Sequence, residues 1–428
     1  MATLSFNKLK RTDAIWLPNV PEHWEMVKVR HLFKESTKKG FPHEPLLVAS
    51  QKDGVVSKDA YGKRTVEATK DLHNLKLVEQ GDFVISLRSF QGGIEFAHER
   101  GIISPAYTII KETRQIEKRY FKNLFKSPPF ISLMTLCVKG IREGQNIDYP
   151  TFKNEYLPFP PIDEQQAIAA YLDKKNIEID QFIRNKKRLI DLLKLEKDNL
   201  TKNLVTRGVD ENSSFSKTNI YWIKEIPTHW EVIPFKVAFK ENKKRNDFKE
   251  DYSVLSLSYG NIVFKDHDSN MGLVPMNYDS YQIINPETLV FRFTDLQNDH
   301  KSLRVGLSKN KGIITSAYLS VVKQLKIKLS MDYAYLLLHS YDIDKVFYQF
   351  GGGVRQAIGF PDVKQLPILL PPIEEQNKIV AEQIKQTNKI NSLIAKAEQE
   401  VLSIKEYREA LITDLVTGKR SVSQLQMN

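Results

Sequence analysis

The chain repeats itself, and a repeat limits the possible folds more than any local pattern does. The run Trp16-Leu17-Pro18-Asn19-Val20-Pro21-Glu22-His23-Trp24-Glu25 is answered by Trp222-Ile223-Lys224-Glu225-Ile226-Pro227-Thr228-His229-Trp230-Glu231, at an offset of 206 (222 minus 16). Phe33-Lys34-Glu35 returns as Phe239-Lys240-Glu241 at the same offset. Gly101-Ile102-Ile103-Ser104, with Ala106-Tyr107, reappears as Gly312-Ile313-Ile314-Thr315, with Ala317-Tyr318, now at 211 (312 minus 101). Pro160-Pro161-Ile162-Asp163-Glu164-Gln165 matches Pro371-Pro372-Ile373-Glu374-Glu375-Gln376, and Leu204-Val205-Thr206 matches Leu415-Val416-Thr417, both at 211. The anchors agree while the stretches between them diverge. That pattern points to one job done twice, on two different targets.

Inside each copy the local signals are mostly those of strands. Phe83-Val84-Ile85-Ser86-Leu87 and Thr288-Leu289-Val290-Phe291-Arg292-Phe293 are short runs rich in β-branched and aromatic residues. Turn-forming pairs such as Gly92-Gly93 and Asn298-Asp299 separate them. A helix is predicted from about residue 117 to 126, with a counterpart from about 331 to 340. Each copy reads as an α+β module with a twisted sheet.

A long helix is predicted after each module. Pro160-Pro161 and Pro371-Pro372 suit helix starts, and Asp163-Glu164 and Glu374-Glu375 suit the positive end of the helix dipole. Apolar residues then recur at coiled-coil spacing: Ile168, Leu172, Ile179, Ile183, Ile190, Leu193, Leu200 and Leu204. The six from Ile179 onward have partners 211 residues on, namely Ile390, Ile394, Val401, Ile404, Leu411 and Leu415. A helix over 163–206 would be about 66 Å long. Its apolar stripe is narrow and its other faces are charged, as in Lys186-Lys187-Arg188. Such a helix needs a similar partner, and the other copy supplies one. The segments are therefore expected to be a module over 1–160, a helix over 161–209, a module over 210–370, a helix over 371–420 and a tail over 421–428.

The 428 residues suffice for two or three cores. With 63 Lys+Arg against 52 Asp+Glu, the net charge of +11 favours polyanionic partners such as duplex nucleic acid. Cys137 is the only cysteine, so an internal disulfide is excluded and a reducing, cytoplasmic setting fits. The first residues lack the apolar run of a signal peptide, and stretches such as Ile131 to Val138 are too short to span a bilayer.

Taken together, the Pro-x-His-Trp-Glu openings, the Gly-Ile-Ile-Ser/Thr strands, the Pro-Pro-Ile-Asp/Glu-Glu-Gln helix starts and the Leu-Val-Thr helix ends resemble those of the specificity subunits of type I restriction–modification systems. The resemblance covers nearly the whole chain. It implies two target-recognition domains, each reading one half of a split, asymmetric DNA site, and two long helices packed as an antiparallel coiled coil that fixes the half-site spacing. It also implies assembly with two methyltransferase subunits and, for cleavage, two translocating nuclease subunits. S-adenosylmethionine, ATP and magnesium would then be held by those partners, and no cofactor is expected on this chain. One departure is a glycine-rich turn, Gly140 to Asn146, two residues longer than its counterpart Gly353 to Ala357.

Direct reading of bases needs side chains with paired donors or acceptors on loops that can enter the major groove. Two equivalent loops qualify. One carries Arg88 and Gln91, with Ser89 and Phe90; the other carries Arg292, Gln297, Asn298, His300 and Lys301, with Thr294. The glycine-rich turns add Arg142, Gln145 and Asn146 in one module and Arg355 and Gln356 in the other. Lys58, Lys63 and Arg64, or Lys243, Lys244 and Arg245, suit phosphates, which position a protein without specifying sequence.

Several motifs are read as decoys. Ser127-Pro128-Pro129-Phe130 looks like an amino-methyltransferase motif, but no glycine-rich cofactor turn accompanies it and the second copy has Ser340-Tyr341-Asp342 there. Pro361-Asp362-Val363-Lys364 hints at a metal-dependent nuclease, yet the first copy reads Pro150-Thr151-Phe152-Lys153. His23 and His229 lack the further ligands a metal requires and are taken with Trp24 and Trp230 as packing anchors. Gly351-Gly352-Gly353 is too short for a phosphate cradle. Two other classes stay open: a stand-alone nuclease or methyltransferase, and a coiled-coil scaffold without a nucleic-acid role.

Overall fold

The computed structural model describes residues 8–62, 71–139, 146–210, 212–246, 253–265, 278–294, 296, 299, 301–350 and 358–426. They form two compact units, Met1–Lys186 with Gln399–Asn428, and Lys187–Glu398. Each unit holds one copy of the repeat and a share of both long helices. None of the described helices is long and apolar enough to cross a membrane.

In the first unit the module is built on a four-stranded antiparallel sheet in the order Phe33–Ser36, Thr108–Glu112, Phe83–Ile85, Glu95–Phe96. The strand Phe83–Ile85 has no polar residue because both its faces are covered. Phe83 and Ile85 enter a core with Phe33, Phe121 and Phe125, whereas Val84 enters a second one with Val78 and Ile109. The rings of Phe33 and Phe83 meet edge to face at 5.7 Å, and those of Phe83 and Phe125 at 5.0 Å. The Gly-Ile-Ile strand, Gly101–Ile103, pairs antiparallel with Lys76–Val78. A helix Lys118–Leu124 follows, with the Glu117 carboxylate accepting from the Arg119 amide. A new helix, Pro128–Leu136, then starts on the two prolines after Ser127.

The second unit repeats this plan. Its sheet runs Phe239–Glu241, Leu319–Lys323, Leu289–Phe291, Val305–Leu307, all antiparallel. Leu289 and Phe291 face one core and Val290 another. Gly312–Ile314 pairs with Gln282–Ile284. Here one helix, Met331–Ile343, runs unbroken, because Tyr341 and Asp342 stand where the first module has prolines.

The long helices are Ile162–Arg207 and Ile373–Val416. They pack antiparallel within each unit. In the first, the Arg408 guanidinium meets the Asp180 carboxylate and Lys186 meets Glu400. In the second, Ile190, Ile394 and Ala397 form a small core flanked by Leu193 and Ile390, and Gln383 reaches the Thr201 hydroxyl. Ile179, Ile190, Leu204, Ile394, Val401, Leu411 and Leu415 are buried, and Ile183, Leu193, Leu200, Ile390 and Ile404 are half-buried.

The repeated motifs are the joints between sheet and helix. The strand opened by Trp24, Glu25–Lys28, pairs with Tyr156–Phe159, which feeds the first long helix. Trp24 is buried, and its Nε1 donates to Glu164 Oε2 at 3.0 Å, while exposed His23 sits 2.8 Å from the same oxygen. Trp230 and His229 treat Glu375 Oε2 in the same way, at 3.1 and 2.8 Å. Next to each glutamate, a buried glutamine closes the helix start. Gln165 accepts from the Glu117 amide and donates to the Pro160 carbonyl; Gln376 accepts from the Ser330 amide and donates to the Pro371 carbonyl. Buried backbone groups left unpaired are costly, so these glutamines are structural.

The Leu-Val-Thr ends close the cores from the other side. Leu415 and Val416 belong to the core that contains Trp24, and the Tyr120 hydroxyl donates to the Val416 carbonyl at 2.9 Å. Leu204 and Val205 belong to the core that contains Trp230. Thr206 and Thr417 return their hydroxyls to the carbonyls four residues back, at 2.7 and 2.6 Å, so each burial is satisfied.

Candidate nucleic-acid interface

In both modules the candidate reading loop leaves the buried strand of the sheet. In the first, the chain turns sharply after Ile85: the Ser86 amide donates to Ser89 Oγ at 2.9 Å and the Ser89 amide to the Ser86 carbonyl at 3.2 Å. Ser89 is buried by this turn, while Leu87, Arg88 and Gln91 are exposed. The short helical segment Ser89–Gly92 ends at Gly93, and the Phe90 carbonyl is held by the Thr135 hydroxyl at 3.3 Å. Arg88 and Gln91 thus stand on a rigid platform with both side chains in solvent.

Behind the platform lies an ion pair between a buried acid and a half-buried cation. Lys126 Nζ is 2.7 Å from Glu95 Oε2 and donates to the Gly92 carbonyl at 2.8 Å. The Glu95 side chain is fully buried, and burial raises its carboxyl above the usual range.

In the second module Arg292 and Thr294 are half-buried and Lys301 is exposed. The Asp299 side chain folds the loop by accepting from the amides of Lys301 and Ser302, at 3.1 and 2.9 Å. Its hydrogen bonds with Ser302 hold the Asp299 carboxyl well below the ordinary value. Beneath the loop is Arg304, fully buried, with Nη1 donating to the Thr294 carbonyl at 2.9 Å and Nη2 to the Asp299 carbonyl. The Arg304 amide donates to the Asp342 carboxylate, also buried, whose Oδ1 has no hydrogen-bond partner among the described residues.

Asn146 is exposed at the start of the strand Asn146–Ile147. Lys243, Lys244 and Arg245 are exposed, with Lys243 near Glu241 at 3.3 Å, and Lys58 is half-buried. Lys63, Arg64, Arg142, Gln145, Gln297, Asn298, His300, Arg355 and Gln356 lie outside the described residues. Among the described residues no group of three His, Cys, Asp or Glu side chains is placed to hold a metal ion. Ser127 Oγ donates to the Leu124 carbonyl, Phe130 packs against Phe125, and Asp362 accepts from the Gly359 amide. These three residues of the decoy motifs are occupied with packing and capping.

Sequence reasoning missed Glu95, Lys126, Arg304 and Asp342. The one visible sign was an acid inside an apolar strand, Ile94-Glu95-Phe96-Ala97. Arg304 looked like any cation of its loop.

Asp342 is expected to make the second unit sensitive to pH. Burial pushes its carboxyl up to about 6, against the pull of the Arg304 amide and the Lys345 charge. The folded chain therefore binds this proton more tightly than the unfolded chain does. Its contribution is fully present below about pH 4 and is lost as pH rises through about 6, a change of roughly 3 kcal/mol. Asp342→Asn is expected to flatten the difference in urea stability between pH 4.5 and 7.5. An unchanged slope would assign the effect to other groups.

No family model matches the chain. It is 26% identical over 431 residues to the type I restriction enzyme MjaVIII specificity subunit of Methanocaldococcus jannaschii, covering 95% of each chain. A chain from a solved structure on complex assembly and conformational transition of the type I R-M system superposes with a TM-score of 0.64 at 14% identity, over 94% of this chain and 99% of that one. The HsdS subunit from Thermoanaerobacter tengcongensis gives 0.53 at 14% identity, over 94% and 98%. The structural matches speak for the fold; the sequence match, end to end, carries the kinship. By sequence and by fold the chain is a relative of the specificity subunits of type I restriction–modification systems.

Proposed function

We propose that the chain is the DNA-specificity subunit of a type I restriction–modification complex and carries no catalytic site of its own. Each module reads one half of a bipartite, asymmetric duplex site in cytoplasmic DNA. The long helices set the spacing of the halves and dock two methyltransferase subunits, with two nuclease–translocase subunits joining for cleavage. S-adenosylmethionine, ATP and magnesium belong to those partners.

One observation supports this reading above the rest. Two modules with the same sheet order present different side chains at the same place, Arg88 and Gln91 in one and Arg292 with Lys301 in the other. A shared scaffold with divergent tips is what reading two unlike half-sites demands. The net charge of +11 supplies the sequence-independent attraction to phosphates.

The test is a methylation assay on duplexes altered in one half at a time, using the chain assembled with methyltransferase subunits. Arg88→Ala is expected to weaken discrimination in one half-site, and Arg292→Ala in the other, by about 1–3 kcal/mol for each bidentate arginine–base pairing removed. Equal losses on every sequence would reduce both residues to phosphate binders. Modification of DNA by the lone chain would instead make it an enzyme.

A further inference from the structure

We propose that Lys126 in the first module and Arg304 in the second are positioning residues: each grips its candidate base-reading loop from behind, by the loop's backbone carbonyls, and so sets how faithfully a half-site is read without itself touching DNA. The inference rests on the function proposed above.

The first grip ties three segments together. Lys126 Nζ takes the Gly92 carbonyl at the end of the loop, the Glu95 carboxylate on the neighbouring strand, and the Gln51 carbonyl at 3.4 Å, in the turn between the strands Leu47–Ser50 and Gly54–Ser57. In the second grip Arg304 spans its loop from one end to the other. Its Nη1 takes the carbonyls of Arg292, at 3.4 Å, and Thr294, and its Nη2 takes that of Asp299. The Tyr348 hydroxyl donates to the same Asp299 carbonyl at 3.0 Å and lies 3.4 Å from Arg304 Nε. A planar guanidinium with five fixed donors can bind several carbonyls at once; an ammonium on a flexible stem cannot hold that geometry.

The two grips are not copies of each other. The Ser127 and Ser340 hydroxyls both donate to the carbonyl three residues back, Leu124 and Leu337, which aligns the two helices and sets His339 where the first module has Lys126. With the cation gone from that position, the second module carries its cation at the head of the strand Val305–Leu307. The guanidinium's own carboxylate partner is Asp299, at 3.7 Å, while the helix residue Asp342 takes the Arg304 backbone amide, so the two grips differ in place as well as in residues. Buried charges are seldom the cheapest way to stabilise a core. Their return behind the same loop, by different residues, fits a need to hold that loop in one shape. Because both cations bind backbone, the side chains facing solvent are free to differ.

The experiment is selection from a random-duplex library by the full chain with methyltransferase subunits, followed by sequencing of the bound pool. Arg304→Lys keeps the charge and removes the fork. It is expected to lower base preference in the second module's half-site about tenfold, leaving the first half unchanged. Lys126→Gln should do the reverse, and Lys126→Arg should restore the first half. Overall duplex affinity at low salt should stay within about threefold, since the phosphate-binding side chains are untouched. Circular dichroism checks folding; should Arg304→Lys unfold its module, the comparison of Lys126→Gln with Lys126→Arg decides, because that side chain is partly exposed. Unchanged preference in both halves for folded variants, or equal loss in both, would overturn the inference alone. A wild-type pool with no two-part motif would overturn the functional reading and this inference with it.

Discussion

Trp24→Ala is expected to destabilise the first unit by about 3–5 kcal/mol, the usual cost of emptying a large aromatic site in a core. Three elements meet on this one side chain. Its ring lies edge-on to Tyr120 at 6.4 Å, its Nε1 binds the Glu164 carboxylate at the start of the first long helix, and its core includes Leu411, Leu415 and Val416 from the end of the second. Truncation leaves a cavity and strips Glu164 of a charge-assisted bond at once. Trp24→Phe should cost far less, because it keeps most of the ring and loses only the bond. His23→Ala should be nearly neutral, its contact with Glu164 being 42% exposed on the histidine side. Hydrogen exchange read by mass spectrometry assigns the damage: protection should fall in peptides from 8–186 and 399–426 and persist in 187–398. Trp230→Ala should give the mirror image. Losses under 1 kcal/mol in both variants would show that these tryptophans fill space without joining the elements.

The same pair of tryptophans shows what the sequence could and could not disclose. Both were visible as repeated anchors beside histidines, and their packing role was legible because no metal-ligand set surrounds them. Their partner was not. Glu164 and Glu375 stand in helix-start motifs where an acid already has a sufficient local reason, the helix dipole, so nothing marked them as acceptors for a residue about 140 positions earlier. The α+β modules and the long helices were readable because each depends on periodicity, which is local; that the helices run antiparallel came only from the family resemblance. The strands Phe83–Ile85 and Leu289–Phe291 were readable for the same reason, being uninterrupted apolar runs.

The charges behind the loops lie at the opposite extreme. Lys126 ends a predicted helix and Arg304 follows the run Lys301-Ser302-Leu303; each has the surroundings of an ordinary surface cation. Only the fold turns them inward. Sequence reasoning selected loop cations by the chemistry of their tips, so exposed Lys301 was named and buried Arg304, three residues on, was passed over. A buried cation that binds backbone leaves no mark on the residue types around it.

Gly93→Ala carries the second large effect, because it attacks the first module's loop at a point that cannot give. Gly93 has φ +78° and ψ −171°, a conformation essentially closed to residues with a side chain. A Cβ there would lie 1.9 Å from the Phe125 carbonyl oxygen. Phe125 cannot retreat: its amide is bonded to the Phe121 carbonyl at 2.9 Å and its ring is wedged among Phe83, Phe121 and Phe130. The cost is about 3 kcal/mol or more, combining backbone strain with overpacking. The chain can escape part of it only by moving the segment Ser89–Gly92, which displaces Arg88 and Gln91 and breaks the Lys126 bond to Gly92. Urea denaturation should therefore show a large loss, and whatever protein remains folded should lose preference in the first half-site. Gly92→Ala is the informative neighbour: its Cβ would meet the Gln51 side chain, which can swing aside, so stability should change little. If Gly93→Ala proved as mild as Gly92→Ala, the loop would not be pinned where the Phe125 carbonyl places it.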